Sequence, residues 1–252
     1  MKSQVVAGHG WKARWLYLAD TITRVHSAGG EQRLLEQLAR PQAPVILGFV
    51  NAHAMNAAAS SEQFFHAIGS ADVLLRDGSG MAFLLRLLKH PPGINLNGTD
   101  LIPKILANHA GQALALFGTC DPYLTRAETV VTTRMAPLSF CVTAHGFLDA
   151  QAYIRLAIQH RPSVIVLGMG MPRQEEVALE LRNAIPFGCL IICGGAILDF
   201  LGGKVTRAPR WMRSAGIEWT FRLAKEPRRL FKRYVMGNPI FMARALQLAV
   251  TA

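Results

Sequence analysis

The chain has 252 residues, 51% of them apolar and only 17% charged, which excludes an unfolded polymer and leaves room for one large domain or two small ones. Lysine and arginine outnumber aspartate and glutamate 27 to 16, a formal charge of +11. So large a basic excess calls for an anionic partner: nucleic acid, an acidic lipid surface or a phosphorylated substrate. Four cysteines are too few for a disulfide scaffold; Cys189 and Cys193 lie four apart in an apolar run with no second pair, and are expected as buried thiols rather than zinc ligands. The first 15 residues carry no apolar signal region. The longest apolar run, 184–198, contains Pro186 and three glycines and falls short of the roughly 20 residues that span a bilayer. A soluble or peripheral protein is expected.

In chain order, residues 21–40 predict a strand and a helix. Short apolar runs ending in Gly, Asp or Asn then predict strands at 45–50, 73–75, 113–117, 138–142, 164–167 and 190–193. Between them, helical periodicity marks 63–68, 80–89, 101–109, 123–135, 150–159 and 174–183, with start signals at Thr99-Asp100 and Pro172. Strict alternation of this kind implies an α/β, Rossmann-like doubly wound sheet. From residue 200 onward eleven basic residues face only Glu218 and Glu226, so +9 of the +11 sits in the last fifth of the chain. The expected division is a core of 1–201 and a helical basic C-terminal appendage of 202–252, breaking near Gly202-Gly203. Trp211, Trp219, Phe221, Leu230 and Phe231 are interleaved with those charges. An amphipathic helix on a membrane surface fits that mixture, and so does a solvated face over a packed helix.

Ligands of doubly wound sheets bind beyond the carboxyl ends of the strands. Those ends carry Asn51-Ala52-His53, then Asp77-Gly78-Ser79-Gly80, Gly118-Thr119, Gly168-Met169-Gly170 leading to Gln174-Glu175, and Gly194-Gly195. Glycines there let backbone N–H groups approach an anion, so Gly118, Gly168, Gly170 and Gly194 are candidates for nucleotide contact; tight turns are the plainer reading. Asp77 is either a helix N-cap or a catalytic carboxylate. His53 and His145 read first as ordinary hydrogen-bonded histidines. There is no GxxxxGK[ST] loop, no GxSxG, no HExxH and no Asp-x-Asp pair to hold a metal on a diphosphate. No metal and no cofactor are expected.

Taken together, Asn51-Ala-His, Asp77-Gly-Ser-Gly, Gly98-Thr-Asp100, the Gly168 to Glu175 loop, Gly194-Gly-Ala-Ile-Leu-Asp199, Arg207-Ala-Pro-Arg-Trp211, Glu218-Trp219-x-x-Arg222 and Glu226-Pro-Arg-Arg229-Leu with Lys232-Arg-Tyr resemble the bacterial WecG/TagA/CpsF glycosyltransferases, glycosyltransferase family 26. The likeness covers about residues 43–245. It implies an inverting, metal-independent transfer from a UDP-sugar to a saccharide on polyprenyl diphosphate in cell-surface polysaccharide synthesis, by a cytoplasmic protein on the inner face of the bacterial membrane. By position it implies that Asp77 is the general base, that Asn51, Asn95 and Gln174 contact substrate, and that Arg222, Arg229 and Lys232 reach the diphosphates. The implied partners are a UDP-sugar, a lipid-diphosphate acceptor and an anionic membrane, not nucleic acid; whether the chain forms a homo-oligomer stays open. Phe49 stands where many members have Thr, and Asn95 where many have Arg, which leaves the sugars unassigned. A nucleotide-cofactor oxidoreductase and a basic nucleic-acid-binding module are the alternatives from other classes.

Overall fold

A computed structural model describes residues 10–251. Six strands, β1 (Pro44–Val50), β2 (Val73–Arg76), β3 (Leu114–Gly118), β4 (Cys141–Ala144), β5 (Val164–Gly168) and β6 (Cys189–Cys193), form one sheet in the order β2-β1-β6-β5-β3-β4. Every pairing is parallel. The strands are nearly continuous apolar runs because both faces are covered, and alternate side chains enter opposite cores. Ile165 and Leu167 of β5 join one core with Trp15, Phe64, Phe65 and Tyr153, whereas Val164 and Val166 join the other with Leu101, Ile105 and Leu124. The doubly wound α/β class expected from the alternation is the one observed, and Cys189 and Cys193 are free and buried in β6.

The first core takes helices α1 (Trp11–Thr21), α3 (Ala52–Ser60), α4 (Glu62–Gly69), α5 (Ser79–Leu87), α8 (Ala150–His160) and α9 (Arg173–Ala184); the second takes α2 (Ala28–Leu38), α6 (Gly98–Asn108), α7 (Tyr123–Val130) and α10 (Ile197–Leu201). Local chemistry starts many of them. Ser27, Asn51, Ser61, Asn97 and Asp149 each accept a backbone N–H of the following turn, removing one of the unpaired donors at each helix start.

Three expectations need correction. Residues 22–43 hold no strand: the chain there runs past the sheet edge, with Thr23 N–H donating to the Leu74 carbonyl at 2.8 Å, one bond where a ladder needs several. β4 starts at Cys141, not 138, because Leu138 has φ +62° and is 95% exposed, neither of which suits a strand. The helix at 123–135 is α7 followed by a π turn, Val131–Met135.

Beyond α10, residues 202–209 lead to α11 (Arg210–Ser214), α12 (Glu218–Lys225), α13 (Pro227–Phe231), a π turn at Lys232–Met236 and α14 (Gly237–Thr251). The last helix belongs to the first core. Phe241, Ala245 and Leu248 are buried there, the Phe241 ring lies 5.3 Å from that of Trp15, and Asn56 Nδ2 donates to the Gly237 carbonyl at 2.7 Å. Among the described residues no helix is long and apolar enough to cross a membrane.

Candidate active site

The register of β1 and β2 brings two candidates together. Val50 is level with Arg76, so the residues that follow, Asn51 and Asp77, leave the sheet side by side, and Asp77 N–H donates to the Val50 carbonyl at 2.7 Å. Asn51 caps α3 through Oδ1, which accepts from Ala54 N–H at 3.0 Å, and its amide donates to the Asp77 carboxylate. The N-cap reading of Asp77 fails: α5 starts from Gly78, at φ +89°, with no side-chain cap. Asp77 is left free to face the cleft. Arg76 underneath is buried and ties down the loop that covers it, donating to the Pro92 and Gly93 carbonyls at 2.7 Å and to Asn95 Oδ1 at 3.1 Å. The same Asn95 oxygen accepts from Gly78 N–H at 3.1 Å, so Asn95 both lines the cleft and sets the turn after Asp77.

The cleft has a volume of about 340 Å³ and two walls. The core supplies Asn51, His53, Asp77, Ser79 and Asn95; the appendage supplies Arg213, Glu218, Trp219, Arg222, Arg233 and Tyr234. Ser79 Oγ donates to the Gly216 carbonyl at 3.3 Å and joins the two. Burial pushes the Asp77 carboxyl above its ordinary range, and the charges of Arg233 and Arg222, with the Asn51 amide and Arg76, pull it part of the way back. Glu218 is raised as well, by burial first and also by the charge of Asp77, against the opposing pull of Arg207, Arg222 and Arg213. His53 is lowered to about 4 by burial and by Arg233, so it stands in the cleft as a neutral imidazole. A basic carboxylate facing guanidinium groups across an open space can take a proton while the same wall stabilises a leaving anion. The Nε atoms of Arg222 and Arg233 are buried with no hydrogen-bond partner.

The glycine loops over β5 and β6 are built differently from the expected cradle. A Cβ on Gly118 would lie 2.5 Å from the Gly168 carbonyl oxygen, one on Gly168 2.8 Å from Leu198, and one on Gly194 2.6 Å from Ile197. These three glycines serve close packing; Gly170, at φ +81°, opens onto free space. The Gly194 N–H is taken by the Leu167 carbonyl at 2.8 Å. Gln174 is 1% exposed; its Oε1 accepts from Gly170 N–H at 3.2 Å and Gly195 N–H at 2.9 Å, and its Nε2 donates to Glu175 Oε1 at 2.8 Å. Gln174 therefore clamps the two loops together from inside. Burial raises Glu175 to about 8.

Of the arginines and lysine singled out from the appendage, Arg222 lines the cleft; Arg229, ion-paired with Glu226 at 2.6 Å, and Lys232 do not. Arg233, Arg213 and Glu218 were missed as site residues. No helical spacing singles out Arg233, because the chain leaves helical geometry at Glu226, φ −133°, between Arg222 and Arg233. His145, exposed and bonded to Phe147 N–H at 3.3 Å, lies elsewhere.

The model of the family described as "Glycosyl transferase WecG/TagA/CpsF family" matches residues 18–252. The chain belongs to this family. Among relatives of this WecG/TagA/CpsF-family glycosyltransferase is the N-acetylglucosaminyldiphosphoundecaprenol N-acetyl-beta-D-mannosaminyltransferase of Staphylococcus aureus strain MW2, 27% identical over 198 residues and 76% of either chain. A protein of the same description from Bacillus subtilis strain 168 is 24% identical over 185 residues, 72% of either chain. The catalysed class is thus glycosyl transfer.

Proposed function

We propose that this glycosyltransferase moves a sugar from a UDP-sugar (UDP-ManNAc, UDP-glucose or a similar donor) to a saccharide carried on polyprenyl diphosphate, with inversion and without a metal ion. The observation that carries the reading is the juxtaposition of Asp77, raised by burial, with Arg222 and Arg233 across one cleft. Asp77 takes the proton of the acceptor hydroxyl as its oxygen bonds to the anomeric carbon from the face opposite the donor diphosphate. The carbon–oxygen bond to that diphosphate breaks, and UDP leaves with the electron pair. Arg222 and Arg233 present guanidinium forks to the developing charge, the task a metal ion performs elsewhere. Asn51 holds the Asp77 carboxylate and Asn95 lines the wall that meets substrate, whereas Gln174, buried and outside the cleft, holds the loops of β5 and β6 together instead of contacting substrate. The relatives' names support the acceptor class, a sugar joined through diphosphate to a polyprenyl lipid.

The expected 202–252 appendage shortens to a basic strap of residues 202–236, because Phe241, Ala245 and Leu248 of α14 belong to the core; a place on the inner face of the cytoplasmic membrane belongs to the same reading. Exposed Trp211, Phe231, Val235, Met236 and Ile240 stand among Lys225, Arg228 and Lys232, a surface suited to an anionic leaflet.

Asp77→Asn keeps the shape of the side chain and removes the base. It is expected to lower UDP release in the presence of a lipid-diphosphate acceptor by about 10²- to 10⁴-fold while leaving UDP affinity intact. Near-normal turnover in the folded variant contradicts the assignment. Activity lost to a chelator and restored by Mg²⁺ contradicts the metal-free step.

A further inference from the structure

We propose that a second cavity, opening beside the first, holds the diphosphate of the lipid-linked acceptor, leaving Arg222 and Arg233 to the diphosphate of the donor. The proposal rests on the transfer reading above and divides the two diphosphates between two sets of arginines.

The second cavity, about 380 Å³, lies between the start of α6 and the segment through α11, and is lined by Asn97, Asp100, Arg207, Arg210 and Arg213 among others. It shares Asn95, Asn97, Arg213 and Glu218 with the Asp77 cleft. Its charges are unbalanced. Arg207 Nη1 at 2.7 Å and Arg213 Nη1 at 3.8 Å converge on the same Asp100 Oδ1, while Asp100 Oδ2 is occupied by Asn97 Nδ2 at 2.8 Å. Arg210 is exposed and has no ion pair among the described residues. The Nε atoms of Arg207 and Arg213 are buried without a hydrogen-bond partner. Each guanidinium offers five donors, and the carboxylates of Asp100 and Glu218, which also lines the cavity, leave one positive charge and the two buried Nε donors unanswered. The group that completes this cavity is multiply charged, compact and rich in acceptor oxygens, which describes a diphosphate.

The order of the substrate's parts matches the order of the cavities. The donor's diphosphate is bonded to the anomeric carbon under attack, so it must share the cleft with Asp77. The acceptor's diphosphate is separated from the attacking hydroxyl by a sugar ring, so it must lie in an adjoining space. Its lipid lies farther still, and Trp211, 66% exposed, stands on the same short helix as Arg210 and Arg213. Sugar, diphosphate and prenyl chain thus meet Asp77, the three arginines and an exposed indole in sequence.

The test is equilibrium binding to the full chain of three probes: UDP, a short-chain prenyl diphosphate bearing one N-acetylglucosamine, and phosphatidylglycerol vesicles. Arg210→Ala, at an exposed and unpaired side chain, is expected to weaken the prenyl diphosphate about tenfold, the effect of one charge-assisted contact, and to leave UDP unchanged. Arg222→Ala is expected to do the reverse. Inorganic pyrophosphate is expected to displace the prenyl compound from the unaltered protein and to do so less well from Arg210→Ala. Equal weakening of both ligands by Arg210→Ala, or no weakening of the prenyl diphosphate, overturns the proposal. A loss confined to vesicle binding overturns it in favour of a lipid-headgroup site. Unaltered protein that binds UDP but not the prenyl compound overturns it while the donor reading stands, and protein that binds neither removes the transfer reading together with it.

Discussion

The middle and the end of the C-terminal fifth share one stretch of sequence but do opposite work. α14 carries a single charged residue, Arg244, and buries Phe241, Ala245 and Leu248 in the core; α11 and α12 bury nothing and carry Arg210, Arg213, Glu218, Arg222 and Lys225. The basic segment is therefore a strap fastened at both ends, by α10 on one side of the sheet and α14 on the other, with its charged middle laid over the strand ends. Fastening by apolar burial leaves the arginines free to face a ligand instead of holding the fold.

That contrast can be broken at either side. Phe241→Ala removes a ring that is 1% exposed and is expected to cost about 3–5 kcal/mol in denaturant unfolding, whereas Trp219→Ala on the strap is expected to cost less than about 1 kcal/mol. A comparable loss at both positions makes the strap part of the core. In catalysis the ranking reverses: Arg222→Ala and Arg233→Met are each expected to lower kcat by about 10²- to 10³-fold with unfolding free energies close to that of the unaltered chain. Loss of stability in step with activity points to structural arginines.

The clamp behind the site predicts a pH signature. Glu175 is raised from 4.5 to about 8 by burial, so the stability it contributes is whole below about 4.5 and is lost as pH rises through about 8. Glu175→Gln cannot ionise and keeps an amide in place of the acid, so its stability should be flatter across that window and exceed that of the unaltered chain at the alkaline end. Parallel pH curves for the two proteins contradict a buried, protonated Glu175. The smallest effect is expected at the rim, where reversing Arg228 and Lys232 should weaken binding to anionic vesicles by roughly 1 kcal/mol per residue, and less at high salt.

The sheet was legible because each strand is a short apolar run closed by a turn residue, and Asn51 and Asp77 were legible because they stand where such runs end. α3 was not, since AHAMNAAAS follows β1 with no linker and has no charged face to show its period. α14 was merged with the strap because net charge, counted over a window, hides a helix that carries little of it. Arg229 and Lys232 come from the family resemblance by position, which passes over Arg233. The backbone leaves helical geometry at Glu226, φ −133°, before Pro227, and the π turn at Lys232–Met236 shifts the phase again, so which arginine faces Asp77 depends on two breaks that spacing alone does not show. The packing glycines and the internal clamp of Gln174 depend on contacts between distant strands, which no local pattern records.

Central to the account is a half-buried Asp77 whose charge is governed by the strap. The most direct measurement is the titration of the Asp77 carboxyl by carbon NMR in the full chain, its resonance assigned by loss in Asp77→Asn. The expected midpoint lies above the ordinary 3.8 and moves higher in Arg233→Met, which keeps bulk over the carboxyl and removes the charge that lowers it. A midpoint at 3.8, or one that Arg233→Met leaves in place, contradicts the account.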